Sequence, residues 1–533
     1  MMCAYLNWML PVLKSVLTAA LLLATPVMAE TVKVEATLKA DKAGPVINRN
    51  IYGQFVEHLG RGVYEGIWVG KDSPIPNTRG IRNDVVAALK HIKVPVVRWP
   101  GGCFADDYHW RDGVGPERKP TINSNWNRQI EPNSFGTHEF MDFLSQIDAQ
   151  PFVSVNVGSG SVKDAQSWMQ YMTAEPTTPP GAERARNGQQ TPWSVPYVGI
   201  GNETWGCGGQ MRADDYAYEF RKYAAYVKSS SGKRPFLIAV GPDTDDYAWT
   251  ETLMKEAAWW RPAATPMMYN IDRPIMDGLS LHFYTLPSNT WQNKGVATQF
   301  GEDQWISTMK RALFMDELIT KNSAIMDKYD PQKKVALIVD EWGTWYDGGP
   351  GGLYQENTLR DALVAAVTLN IFHDHAERVK MANIAQMINV LQAMILTDKD
   401  KMILTPTYHV FEMYKVHQDA TRIPVNYTAP VYRYGEAEVP MISVSASRDK
   451  AGKIHVSVAN LDPNRAIALD LILTGVKAKT VTGRTLTAPA TDSHNTFTAP
   501  NTVTPKPATG VKLKGDTLTA NLPAKSVSVF ELQ

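Results

Sequence analysis

Eight short, mostly apolar runs recur between Asn50 and Val390, and they constrain the fold more than any other feature of the chain. They are "NIYGQFVEH" (Asn50–His58), "VPVVRWP" (Val94–Pro100), "PFVSVNVG" (Pro151–Gly158), "YVGIGNE" (Tyr197–Glu203), "PFLIAVGP" (Pro235–Pro242), "GLSLHFY" (Gly278–Tyr284), "VALIVDEW" (Val335–Trp342) and "ANIAQMINV" (Ala382–Val390). Between them lie segments with helical spacing, among them Ile81–Ile92, Thr137–Ile147, Asp214–Ser229 and Thr358–Ala376. Strands that are apolar on both faces and alternate with helices need a parallel sheet covered on each side. Eight such units predict a closed (β/α)8 barrel.

After Met413 the texture changes to alternating or apolar β segments parted by Gly, Pro, Asn and Asp, as in "MISVSASRDKAGKIHVSVANLD" and "AKSVSVFELQ". This predicts a C-terminal antiparallel β-sandwich, jelly-roll-like in outline. The alternating stretch "TVKVEATLKA" (Thr31–Ala40) precedes the barrel and is expected to join that sandwich from the other end of the chain. The expected organisation is therefore a leader at 1–29, a joining strand at 30–46, a catalytic barrel at 47–413 and a sandwich at 414–533. At 533 residues the chain is long enough for a large enzyme domain with an accessory one.

The leader is read from Lys14, the run "SVLTAALLLATPVMA" and small residues before Glu30. The run is too short to span a membrane and resembles a signal peptide, so the expectation is an exported protein, periplasmic or extracellular, free of the membrane after cleavage. Lys+Arg and Asp+Glu balance at 54 each, which leaves no general electrostatic case for a nucleic-acid partner. The 15 Trp and 21 Tyr offer flat faces that suit sugars.

In such a barrel the chemistry gathers where the strands end. The polar residues there are Glu57 and His58, Arg98, Asn156, Asn202 and Glu203, Asp243, His282 and Tyr284, Asp340 and Glu341, and Gln386 with Asn389. Glu203 and Glu341 end the fourth and seventh strands, across the mouth from each other. Two carboxylates on one rim suit glycoside hydrolysis, which needs one protonated and one ionised carboxyl and neither metal nor cofactor. Trp205 beside Glu203 favours the protonated form there, whereas Arg98 and Tyr284 can keep Glu341 ionised. Competing signals are weaker. Asp106, Asp107 and His109 invite a metal reading but suit a pocket-lining loop better. The histidines of "HDH" (His373–His375) do not share a helix face. "GGPGG" (Gly348–Gly352) lacks the pattern of a phosphate loop.

Six ordered motifs, "IYGQFVEHLGRGVYEG", "VRWPGGCFADDYHW", "YVGIGNETWGCGG", "LSLHFYT", "VDEWGTWY" and "IAQMINVLQAMI", together resemble the α-L-arabinofuranosidases of glycoside hydrolase family 51. The resemblance implies exo-acting, retaining release of terminal α-L-arabinofuranosyl groups from arabinoxylan, arabinan or arabino-oligosaccharides. It makes Glu203 the general acid/base and Glu341 the nucleophile. It assigns sugar contacts to Glu57, Asn202 and Gln386, orienting roles to His282 and Tyr284, and a place beside the nucleophile to Arg98. Trp99 is counted with the substrate-binding residues. Cys103 departs from the pattern, since many relatives carry Asn there and a thiol cannot replace an amide. Cys103 and Cys207 follow strands that open on one mouth, and a disulfide between them is expected to brace the site. An endo-β-glucanase or xylanase, a β-xylosidase, or a non-catalytic carbohydrate-binding protein are the alternative readings. A homo-oligomer is compatible with all of them.

Overall fold

The computed structural model describes residues 31–259, 274–348 and 353–533. The expected leader at 1–29 and most of "GGPGG" lie outside the described residues. Eight parallel strands close a barrel in chain order: Gly53–Phe55, Val96–Trp99, Gln150–Val155, Tyr197–Ile200, Phe236–Ala239, Gly278–Thr285, Ala336–Thr344 and Val379–Ala385. Nearly every strand residue is buried, because helices pack on the outer face and side chains fill the lumen. The helices between strands follow the predicted periods: Asn83–His91, Thr137–Ile147, Ala213–Tyr226 and Leu359–Asp374 are all present. Thr358 caps the last of these, accepting from the Arg360 N–H, while Asp361 returns a bond to the Thr358 N–H.

The eighth strand begins three residues before the predicted run, at Val379, and ends at Ala385. Strand pairing is interrupted in two places that matter. The register between strands six and seven shifts between Ser280 and His282, and that between seven and eight shifts between Val339 and Trp342. A regular strand would send Asp340 and Glu341 to opposite faces. Through the irregularity both carboxylates meet Arg98, whose Nε lies 3.4 Å from Asp340 and whose Nη1 lies 2.7 Å from Glu341.

The sandwich packs a five-stranded sheet on a six-stranded one. Its strands pair antiparallel with one exception. Thr31–Lys39 runs parallel to Ala466–Thr474 over nine register pairs and antiparallel to Val425–Tyr427. This strand alternates exposed and buried residues, Val34, Ala36 and Leu38 facing the core. Helix Leu359–Asp374 docks on the six-stranded sheet through a polar seam. There His373 bonds Tyr52 and Ser445, Asn370 bonds Ser443, and His417 bonds Ser447 and Ser457. His375 turns away to Asp316, so the two histidines of "HDH" have separate partners. Among the described residues no helix is long and apolar enough to cross a membrane.

Candidate active site

The C-terminal ends of the barrel strands surround a cavity of about 340 Å³. Glu57, Cys103, Asn202, Glu203, His282, Tyr284, Glu341 and Gln386 all line it. Glu341, at the end of strand seven, accepts from Arg98 Nη1 at 2.7 Å and from the Tyr284 hydroxyl at 2.7 Å. A guanidinium and a phenol thus both donate to one buried carboxylate. The double glycine of "RWPGGC" makes room for this group. A Cβ on Gly102 would stand 3.0 Å from Glu341 Oε1 and 3.4 Å from Glu57 Oε1.

Glu203 stands opposite, on the turn after strand four, with an oxygen within 4.8 Å of an oxygen of Glu341. Burial pushes its carboxyl above the usual range, the hydrogen bond from His282 opposes this, and the charge of Glu341 adds to it. His282 Nδ1 lies 2.8 Å from Glu203 and 3.7 Å from Glu341, and Nε2 lies 3.1 Å from Asp340. Burial works against the imidazolium, yet the carboxylates of Glu341, Asp340 and Glu203 outweigh it and raise the His282 pKa well above normal. The imidazole is thus held among three carboxyl groups, which favour its charged form.

Glu57, after strand one, is fully enclosed. Its Oε1 accepts from the Phe104 N–H at 2.9 Å and from Trp126 Nε1 at 2.8 Å, and Gln386 approaches Oε2 at 3.4 Å. Burial raises its carboxyl to about 7 despite those donors. Asn202 is fixed from two sides. Its side-chain oxygen accepts from Arg98 Nη2, and its backbone N–H donates to Asp106 at 3.0 Å. Asp106 also accepts from the Val157 N–H, so it ties the ends of strands three and four together beneath the pocket. Asp107 and His109 approach Ser159 instead, and the three do not converge on one point as a metal cluster would. Cys103 and Cys207 are joined in a disulfide, their Cα atoms 5.5 Å apart.

Trp99 belongs elsewhere. It is 0% exposed, stacks on Phe140 with centroids 4.7 Å apart, and donates to His58 Nε2. The reason is strand alternation: Arg98 points into the lumen, so Trp99 points out to the helices. Of the other strand-end residues, His58 binds Glu131, Asn156 binds Tyr108 and Ser159, and Asn389 binds Thr397. Three pocket residues came from loops that strand reading does not reach. Trp126 sits in the excursion between Ile122 and Ile130, whereas Trp291 and Trp345 meet edge to face at 5.2 Å beside Tyr284. The available signal was a lone tryptophan in a polar stretch, "TINSNWNRQIEP".

A half-buried and a buried carboxylate facing each other across the mouth of a (β/α)8 barrel, the first paired with histidine and the second with arginine, define a glycoside hydrolase. The comparisons narrow the class. A family model for the α-L-arabinofuranosidase 1 domain matches residues 88–294, and one for the α-L-arabinofuranosidase C-terminal domain matches residues 340–526. An intracellular exo-α-L-arabinofuranosidase of Bacteroides ovatus is 46% identical over 97% of this chain and 100% of its own length. A crystal structure of a family 51 arabinofuranosidase from Xanthomonas axonopodis pv. citri, 50% identical, superposes with a TM-score of 0.90 over 94% of this chain and 100% of that one. That of a Thermotoga maritima α-L-arabinofuranosidase in complex with arabinose, 30% identical, does so at 0.79 over 94% and 99%. The chain belongs to the α-L-arabinofuranosidases of glycoside hydrolase family 51. The Bacteroides relative also corrects the expectation of export, because a homologue matched over its full length is described as intracellular. The export reading rested on Lys14, a short apolar run and small residues before Glu30, a local pattern that carries no information from the fold.

Proposed function

We propose that the enzyme removes single α-L-arabinofuranosyl groups from the non-reducing ends of arabinose-containing glycans with net retention, Glu341 acting as nucleophile and Glu203 as acid/base. The approach of the two carboxylates to within 4.8 Å carries this reading. Retaining enzymes hold the pair about 5 to 5.5 Å apart, and inverting enzymes at roughly 6.5 to 9.5 Å, which leaves room for a water. In the first step Glu341 attacks the anomeric carbon as Glu203 gives its proton to the departing oxygen. Esterification then removes the charge of Glu341, one of the causes that raise the Glu203 pKa. The freed carboxylate, still bonded to cationic His282, is set to take a proton from the water that releases arabinose.

Glu57, Asn202 and Gln386 supply acceptors and amides for the sugar hydroxyls, and Arg98, Tyr284 and His282 hold the reacting carboxylates. A pocket of about 340 Å³ walled by Trp126, Trp291 and Trp345 favours a chain end over an internal site, which speaks against an endo-glucanase or xylanase. Inside the cell, short arabino-oligosaccharides are the substrates we favour over polymers. We also assign catalysis to 47–413, with 30–46 and 414–533 as the accessory unit. An NMR time course on a nitrophenyl α-L-arabinofuranoside tests the reading. Initial release of the α-anomer of arabinose supports it, and initial β-anomer would refute retention.

A further inference from the structure

Two sulfur atoms and a carboxylate meet at the rim of the pocket. Cys103 lies on the loop after barrel strand two, and Cys207 on the turn that carries Glu203. Cys207 Sγ stands 3.9 Å from Glu203 Oε2 and 3.8 Å from Asn202 Nδ2. Among the described residues Cys103, Glu203 and Cys207 each present a ligand atom within 4.8 Å of the other two. Cys207 is exposed, so a reductant reaches the bridge from solvent. Disulfides are seldom permanent in a reducing cytosol, and the dithiol form is therefore a state this enzyme must meet.

We propose that reduction of the Cys103–Cys207 bridge creates a binding site for a thiophilic divalent cation such as Zn²⁺, formed by two thiolates and the Glu203 carboxylate, and that the bound ion halts catalysis. The inhibitory part rests on the acid/base role proposed for Glu203. The chemistry balances. A dithiol donor gives two electrons and two protons, the S–S bond breaks to leave two thiols, and the donor departs as its own disulfide. The cation then displaces both thiol protons, together with the proton that Glu203 carries as the resting acid, to solvent. Zinc takes thiolate sulfur at about 2.3 Å and carboxylate oxygen at about 2.0 to 2.2 Å, so tetrahedral geometry needs sulfur and oxygen about 3.5 Å apart. The observed 3.9 Å is a few tenths of an ångström away. A Glu203 oxygen committed to a metal can neither deliver nor collect the proton that the reaction requires. While the bridge stands, no thiolate exists to bind, and the site is closed.

A second group, Glu203 with His282 and Glu341, also brings ligand atoms within 4.8 Å, but it contains no redox-active side chain. It provides the internal control. Full-length enzyme, half of it reduced with a dithiol and freed of reagent under nitrogen, is titrated with Cd²⁺ and followed by the ultraviolet thiolate-to-metal charge-transfer band. Arabinofuranoside hydrolysis is assayed in parallel with Zn²⁺. The reduced enzyme should develop the band at one equivalent and lose activity by about tenfold or more, with recovery on chelation, whereas the oxidised enzyme should do neither. In Cys207→Ser the band and the metal sensitivity should both vanish under reducing conditions. Absence of the band in reduced enzyme, equal inhibition of the oxidised form, or inhibition that survives Cys207→Ser would each overturn the proposal. The band is read without turnover, so failure of the assumed role of Glu203 would show separately, as metal binding without inhibition.

Discussion

The pocket mouth and the seam between barrel and sandwich both bury histidine, and they hold it in opposite charge states. At the mouth, His282 stands among Glu203, Glu341 and Asp340, and its pKa rises well above normal. At the seam, His373 and His417 face hydroxyls, and burial lowers their pKa values, that of His373 to about 3, with the charge of Arg422 adding to the effect. Burial is common to all three rings, so the neighbours decide. Where packing is the task, serine and tyrosine satisfy a neutral imidazole. Where protons must move, carboxylates keep it charged.

The comparison breaks most sharply at its charged end. Glu341→Ala should cut hydrolysis of a nitrophenyl α-L-arabinofuranoside by at least about 10⁴-fold, because the proposed mechanism gives the covalent intermediate to no other group. Steady-state kinetics would check it, and a mild loss would displace Glu341 from its role. Glu203→Ala should cost about 10² to 10⁴-fold on natural linkages and visibly less on a nitrophenyl leaving group that departs without protonation. Equal losses on both substrates would contradict an acid role.

At the neutral end the readout is stability. A histidine with a depressed native pKa contributes stability that is complete above its unfolded value near 6.5 and is lost as the pH falls towards about 3, since the unfolded chain takes up the proton first. Thermal melts at pH 7 and pH 4.5 should therefore show His373→Gln losing about 2 kcal/mol less on acidification than the parent. A loss of the same size in both would clear the seam of responsibility. A pH effect of similar size and opposite direction is expected at Glu57. Its native pKa of about 7 lies above the unfolded value, so the native state is penalised as the pH rises between about 4.3 and 7. Glu57→Gln should raise the melting temperature at pH 8 more than at pH 5, by on the order of 1 to 3 kcal/mol of stability, while sugar binding weakens.

The strand ends were legible because a parallel strand writes itself as a run of apolar residues and stops at a polar one. Glu203 and Glu341 were found that way. Trp99, counted with the substrate-binding residues beside the family resemblance, is turned outward by alternation, and the strand-end rule gave no hint that a register shift brings Asp340 and Glu341 inward together. The eighth strand was read late because Arg378 and Lys380 interrupt its start: Arg378 ties to Asp330, and the Lys380 amine reaches the Ala376 carbonyl. Trp126, Trp291 and Trp345 reach the pocket along loop paths, which no periodicity encodes. The pairing of Arg98 with Glu341 was expected from the sequence, whereas the further reach of Arg98 to Asp340 and Asn202, and of His282 to Asp340, needed barrel closure.

The parallel pairing of Thr31–Lys39 with Ala466–Thr474 also has a consequence for biosynthesis. A ribosome adding roughly 5 to 20 residues per second needs on the order of 20 to 90 seconds to travel from the first of these strands to the second. Through nearly all of that interval the early strand has no partner, since Val425–Tyr427 emerges only shortly before Ala466–Thr474, while the eight strands of the barrel emerge one after another beside it. The nascent enzyme therefore acquires its catalytic mouth while its first β-strand still waits for a partner.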